Sequence, residues 1–221
     1  MSNQGSMAGG NRTGLIFNRV EISLHGDRLV AVDAHIPPGE VFTVMGPSGS
    51  GKSTLLAYVA GFLDPVFSAA GRILLNGEDV TDLQPERRGM GLLFQDPLLF
   101  PHLSVGGNLL FGLAPAIKGH TARREAVEAA LHHVGMDGFI DRDPATLSGG
   151  QRARVALMRT LLSKPAALLL DEPFSKLDTA RRGQVRDLVF AEARERGLPV
   201  LLVTHDIADA EAAGGPCIVL A

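Results

Sequence analysis

Residues 40–54 read EVFTVMGPSGSGKST. The apolar run Val41–Met45 predicts a strand, the glycine-rich stretch after it a loop, and the residues beyond Ser53 a helix. Inside lies the spacing G-x-x-x-x-G-K-[ST], from Gly46 to Ser53. Gly46, Gly49 and Gly51 permit a loop whose N–H groups point inward around a β-phosphate, and the following helix adds its positive N-terminus. Lys52 brings a mobile charge to the β- and γ-phosphates, and the Ser53 hydroxyl is placed to ligate Mg²⁺. Glycine-rich loops can match such a pattern by chance, but strand and helix flank this one in the required order. The stretch implies a nucleoside triphosphate held with magnesium.

Two further apolar runs end in chemistry. AALLLDEP, bounded by Pro165 and Pro173, reads as a central parallel strand buried on both faces. Its carboxylates, Asp171 and Glu172, fall at the C-terminal end, where α/β sheets place their ligands. Asp171 suits magnesium, directly or through a water. Glu172 is a candidate to polarise an attacking water; a solvated strand-end charge is the plainer alternative. LPVLLVTHD ends with His205 at the same edge, although a lone histidine is as readily a surface or core residue. Ala145–Leu157, ATLSGGQRARVAL, places an N-cap serine, Ser148, before a helical pattern with apolar Val155, Ala156 and Leu157. Gly149 and Gly150 lower helix propensity but let backbone N–H groups approach a ligand closely. A capped helix after a turn is the simpler reading of that stretch taken alone.

Composition bounds the rest. A chain of 221 residues suits one large domain, or one domain with a lobe inserted. Hydrophobic residues make up 45%, yet no run approaches the roughly 18 apolar residues of a membrane span. The start, MSNQGSMAGGNRTG, is polar and lacks the apolar centre of a signal peptide, so residues 1–13 are expected to be a flexible tail. The single cysteine, Cys217, excludes an internal disulfide, and a net charge of −3 offers no footprint for nucleic acid. In Gly91–Ile117, Asp96 is the only formal charge. That segment reads either as ordinary buried chain or as an apolar surface that docks onto a partner.

The ordered set of phosphate loop, LLFQD with Gln95, LSGGQ at Leu147–Gln151, LLLDEP, SKLD at Ser175–Asp178 and VTHD at Val203–Asp206 resembles the nucleotide-binding subunits of ATP-binding cassette (ABC) transporters. The resemblance runs from about Val20 to Leu220. It implies a P-loop α/β core over 14–95 and 166–221, with an antiparallel β region near 14–40 and a helical lobe inserted at about 96–165. Strands 41–45, 166–170 and 200–204 would lie parallel, with their ends at the nucleotide. It also implies ATP hydrolysis with Mg²⁺ between two copies packed head to tail, because LSGGQ in this family closes over the nucleotide of a second subunit. Carried residue by residue, Gly46, Pro47, Ser48, Gly49, Ser50, Gly51, Lys52, Ser53 and Thr54 hold the phosphates. Gln95 reaches the magnesium and the attacking water, Asp171 assists the magnesium, Glu172 is the general base, and His205 contacts the γ-phosphate. Ser148, Gly149, Gly150 and Gln151 complete the partner's site, and Asp178 sits across the seam.

Three places depart from the family pattern. An aromatic residue usually stacks on the adenine; here the nearest match is His25, which also reads as a simple hairpin residue. Lys176 stands where the seam motif usually carries Ala. The link GFLDPVFSAAGRILLNG is longer than usual around residues 62–70. The chain ends soon after CIVL, without a regulatory domain or a membrane span, so a separate permease is expected, with an extracytoplasmic solute-binding protein behind it. That arrangement implies a peripheral place on the cytoplasmic face of the inner (plasma) membrane. The Gln95 region followed by LLFPHLSVGGNLLFGL is similar to importers of the iron, thiamine and polyamine type. The alternatives are the ATPase of a lipoprotein-releasing or small exporter system and a soluble non-transport ABC ATPase. The cargo is not written in this chain.

Overall fold

The computed structural model describes residues 13–220 except Asp178. The expected tail, through residue 12, and the seam role of Asp178 lie outside the described residues. Strands β1 (Leu15–Leu24) and β2 (Asp27–Ile36) form an antiparallel hairpin. Its turn, His25-Gly26, has φ of 52° and 94°, the two positive values that a type I′ turn requires and that match the twist of the strands. Strand β3 (Val41–Met45) then leaves for a second sheet.

The antiparallel region reaches beyond residues 14–40. Strand β4 (Phe67–Leu75) pairs with the other side of β1, and β5 (Glu78–Asp79) with β4, in the order β2-β1-β4-β5. The long link around 62–70 is therefore the approach to β4 and its first residues. β1 bulges at Arg19, φ 49°, and shifts register against both neighbours. A Cβ on Gly71 would lie 2.2 Å from the Arg19 carbonyl oxygen, so only glycine lets β4 follow that bulge.

The second sheet runs β6 (Met90–Leu93), β7 (Ala167–Asp171), β8 (Val200–Val203), β3 and β9 (Cys217–Val219), with every pairing parallel. The strands expected at 41–45, 166–170 and 200–204 are its three central members; β6 and β9 complete its edges. Side chains alternate between two cores, which is why the runs are unbroken in sequence. Leu168, Leu170, Val200 and Leu202 pack with helices α2 (Val105–Gly112), α3 (His120–His133), α4 (Gly149–Leu162) and α5 (Thr179–Glu195). Ala167, Leu169, Leu201 and Val203 face the antiparallel sheet and helix α1 (Lys52–Ala60). Each buried leucine contributes roughly 1.5–3 kcal/mol. Helix α6 (Ile207–Ala213) follows β8.

Arg88 fastens the region behind the phosphate loop. It is buried, and its guanidinium donates to the carbonyl oxygens of Tyr58 at 2.8 Å, Val59 at 2.9 Å and Leu83 at 2.8 Å, and to that of Thr81. These bonds cap the end of α1 and pin the 81–88 link to it. Burial pulls its pKa below the usual guanidinium value.

The 91–117 segment divides between its two readings. Gly91, Leu93, Val105, Gly106, Asn108 and Leu109 are buried. The Asn108 amide accepts from Phe100 N–H at 2.8 Å and donates to the carbonyls of Phe100 and Ser104 at 3.1 and 3.0 Å, which fixes the turn between them. Leu98 and Phe111, however, are 57% and 70% exposed.

Candidate nucleotide site

Parallel pairing puts the C-terminal ends of β6, β7, β8 and β3 on one edge of the sheet. Asp171 ends β7, and Gln95, Glu172, His205 and Gly46 come within two residues after the four ends, so the topology alone gathers them. The phosphate loop leaves β3 with positive φ at Gly46, Gly49 and Gly51. Gly51, the N-cap of α1 at φ 91°, lies so close to β2 that a Cβ would come 2.6 Å from Val30 and 2.8 Å from Leu29. Lys52 is buried, and its Nζ donates to the Gly46 and Pro47 carbonyls at 2.8 and 2.7 Å, folding the ammonium over the loop. The Ser50 hydroxyl is buried with no hydrogen-bond partner among the described residues.

Ser53 joins the loop to β7, its hydroxyl donating to Asp171 Oδ1 at 3.4 Å. Burial raises the Asp171 pKa, and the neighbouring Glu172 charge raises it further; the Ser53 bond and Lys52 pull the other way. A cation beside Asp171 would relieve both unfavourable effects. Glu172 holds φ 45°, a left-handed conformation costly for a non-glycine residue. It is fixed there by its N–H on the Val203 carbonyl at 2.9 Å and by Ser175, whose N–H and hydroxyl donate to the Glu172 carbonyl at 3.2 and 2.9 Å. The result sets Glu172 Oε1 3.1 Å from His205 Nδ1. The two groups expected near the γ-phosphate are thus neighbours.

The His205 turn is braced from behind. Asp206 caps α6 through Ala208 N–H at 2.8 Å, and Arg182 of α5 reaches both Asp206, at 2.8 Å, and the buried Asp209. Sequence reasoning missed Arg182, since nothing in its local pattern marks it. Gln95 is exposed beyond β6. His25 sits at the tip of the hairpin whose Leu29 and Val30 abut Gly51.

The α4 turn stands apart. Ser148 Oγ accepts from Gln151 N–H at 3.3 Å while Gln151 Oε1 accepts from Ser148 N–H at 2.9 Å, a complete capping box. Ser148, Gly150 and Gln151, with Arg154, Gln184 and Val185, line an open cavity of about 280 Å³. Among the described residues no hydrogen bond or ion pair links 148–151 to 46–54. Beside β6, an open groove of about 640 Å³ is lined by Leu92, Leu98, Phe100, Phe111, Leu113 and Arg159. The Phe100 and Phe111 rings meet edge to face at 4.6 Å, with the Arg159 guanidinium 5.4 Å from the Phe100 ring. Phe111, inside the apolar 91–117 segment, forms an exposed wall of that groove.

The ABC transporter family model matches residues 29–175. The chain belongs to that family. As an ABC ATPase it is 49% identical over 199 residues to an uncharacterized ABC transporter ATP-binding protein, YnjD, of Escherichia coli, covering 90% of this chain and 91% of the relative. It is 43% identical over 198 residues to the thiamine import ATP-binding protein ThiQ of Vibrio vulnificus, covering 90% and 83%. It is 50% identical over 180 residues to the spermidine/putrescine import ATP-binding protein PotA of Frankia alni, covering 81% of this chain but 38% of that relative. No helix among the described residues is long and apolar enough to cross a membrane.

Proposed function

We propose that this ABC ATPase is the subunit that powers import of a small solute through a separate membrane permease, as a head-to-tail pair of copies with two ATP molecules between them. The observation that carries the catalytic reading is the Glu172–His205 pair set at the sheet edge that also bears the phosphate loop. The import names of ThiQ and PotA support the direction.

In this reading Lys52 moves from its carbonyls to the β- and γ-phosphates, and the 46–54 N–H groups hold the phosphates in place. Ser53 and Asp171 hold Mg²⁺. A hydroxyl and a carboxylate are the hard oxygen donors that ion prefers. Among the described residues no cluster of three or more His, Cys, Asp or Glu is set to hold a metal alone, so Ser53 and Asp171 would hold the ion together with the nucleotide. When bound, Mg²⁺ neutralises charge developing on the phosphate oxygens. Glu172 takes the proton of the attacking water as its oxygen bonds to the γ-phosphorus and the bond to ADP breaks. His205 contacts the γ-phosphate from beside Glu172, and Gln95 orients the water. Ser148, Gly149, Gly150 and Gln151 of the second copy close the site. Residues 96–165 form the lobe that moves with them, and the groove of Phe100 and Phe111 receives a short apolar segment of the permease on the cytoplasmic side.

Glu172→Gln tests this. It is expected to bind ATP as tightly as wild type, to lose roughly 10²–10⁴-fold in turnover, and to shift to dimer on size exclusion with ATP. Wild-type turnover would overturn the assignment of the base, and a monomer in ATP would overturn the paired site. Proteoliposomes holding the complex purified through this chain give the direction of transport.

A further inference from the structure

The residue that departs from the family pattern in the seam motif has a partner in this chain. Lys176 Nζ lies 2.6 Å from both carboxylate oxygens of Asp96, 80 residues away. Asp96 follows Gln95 directly, and Lys176 sits in the turn that begins at Glu172. Each segment is rigid on its own side. Arg159 donates to the Pro97 and Leu98 carbonyls at 3.2 and 2.9 Å, and Leu98 is held at φ 44°. The Glu172 carbonyl takes both Ser175 donors, and Leu177 N–H donates to the Phe174 carbonyl at 3.1 Å. Between the segments, Phe94 and Pro97 share one small apolar cavity with Pro173 and Phe174, contacts that carry no directional bond. Among the described residues, the Lys176–Asp96 pair is the one polar contact that joins 94–101 to 172–177.

We propose that Lys176 is a positioning residue for ATP hydrolysis: by clasping Asp96 it holds the segment bearing Gln95 in register with the turn bearing Glu172. The proposal rests on the reading of Glu172 as base and Gln95 as the residue that orients water. Both partners are exposed, 51% and 58% at the side chain, so the clasp is weak enough to open during turnover and sensitive to salt. It acts on the rate of the bound state and leaves nucleotide affinity to the phosphate loop.

The test is a double-mutant cycle on steady-state hydrolysis. Asp96→Asn and Lys176→Met are each expected to lower kcat by about 2–5-fold, with KM for ATP and Tm unchanged. The swapped pair Asp96→Lys/Lys176→Asp should recover most of the loss, and Lys176→Arg should keep the wild-type rate. Raising NaCl from about 50 to about 500 mM should bring wild type toward the single variants while leaving those nearly unchanged. Losses that multiply in Asp96→Asn/Lys176→Met, a swap no better than the single variants, or an effect confined to KM or Tm would each overturn the clasp. Its failure is separable from that of the base: active Glu172→Gln removes the base assignment whatever the cycle shows.

Discussion

The sheet edge and the α4 turn carry the same kind of equipment, glycines and a serine at the start of a helix, yet they differ in what surrounds them. At the edge, Gly51-Lys52-Ser53 opens onto Asp171, Glu172 and His205; Ser53 already bonds Asp171 at 3.4 Å, and Glu172 lies 3.1 Å from His205. At α4, the Ser148 and Gln151 side chains bond only to each other's N–H groups, and among the described residues no carboxylate lines the cavity beside them. The edge has the makings of a reaction centre within one chain. In the function proposed above, the turn is the half that completes another copy's site, and among the described residues it brings no carboxylate of its own to that cavity.

The sharpest way to break that contrast is to damage each half separately. Ser148→Arg fills the turn with a long cation. It should leave ATP binding by the isolated chain within about 2-fold of wild type and cut turnover by roughly 10²–10³-fold, the size of losing preorganised donors. Lys52→Ala should instead raise the Kd for ATP itself, by about 10–150-fold for a lost charge-assisted bond. Fluorescence titration with a labelled ATP analogue reads both. If Ser148→Arg weakened binding by the isolated chain as much as Lys52→Ala, the turn would belong to its own chain's site.

Much of the edge was legible because parallel strands impose a rule: unbroken apolar runs end where ligands bind. AALLLD and VLLVTH obey it, and the phosphate-loop spacing is specific. The pieces that were not legible depend on contacts across long stretches of chain. Lys176 and Asp96 are 80 residues apart. Arg182 braces the His205 turn only because α5 and α6 pack together. β4 hides in FSAAG, which has no alternating pattern, since residues 68–72 are exposed on both faces of the strand. The 91–117 stretch carries one uniform apolar signal for a strand, a buried helix face and an open groove wall, and hydropathy cannot divide those three.

Arg88 sharpens the comparison from the side of stability. Arg88→Met removes the guanidinium from four carbonyls around α1, of which Tyr58 keeps the Gly61 N–H, at a cost of about 2–4 kcal/mol. Tm should fall by roughly 5–12 °C by calorimetry. ATP affinity of the folded fraction should hold, because the phosphate loop lies at the other end of α1. A loss of affinity without a loss of Tm would place Arg88 in the site.

The smallest expected effect belongs to His25, and it separates a turn from a binding residue. His25 occupies the first position of a type I′ turn at φ 52°, followed by Gly26. Asn-Gly is the preferred pair for that turn, because Asn tolerates the left-handed region better than an imidazole-bearing residue. His25→Asn therefore removes the ring while keeping the hairpin, and Tm should stay level or rise slightly. The hairpin runs back to Leu29 and Val30, which abut Gly51 of the phosphate loop, and the proposal that His25 meets the base starts from that contact. If the ring stacks on adenine, its loss should raise KM for ATP by about 2–10-fold, the value of one aromatic contact, with kcat unchanged. His25→Tyr should restore or improve KM despite straining the turn. Equal KM in all three proteins, with Tm alone following the turn preference, would leave His25 a hairpin residue and send the base to another wall of the site.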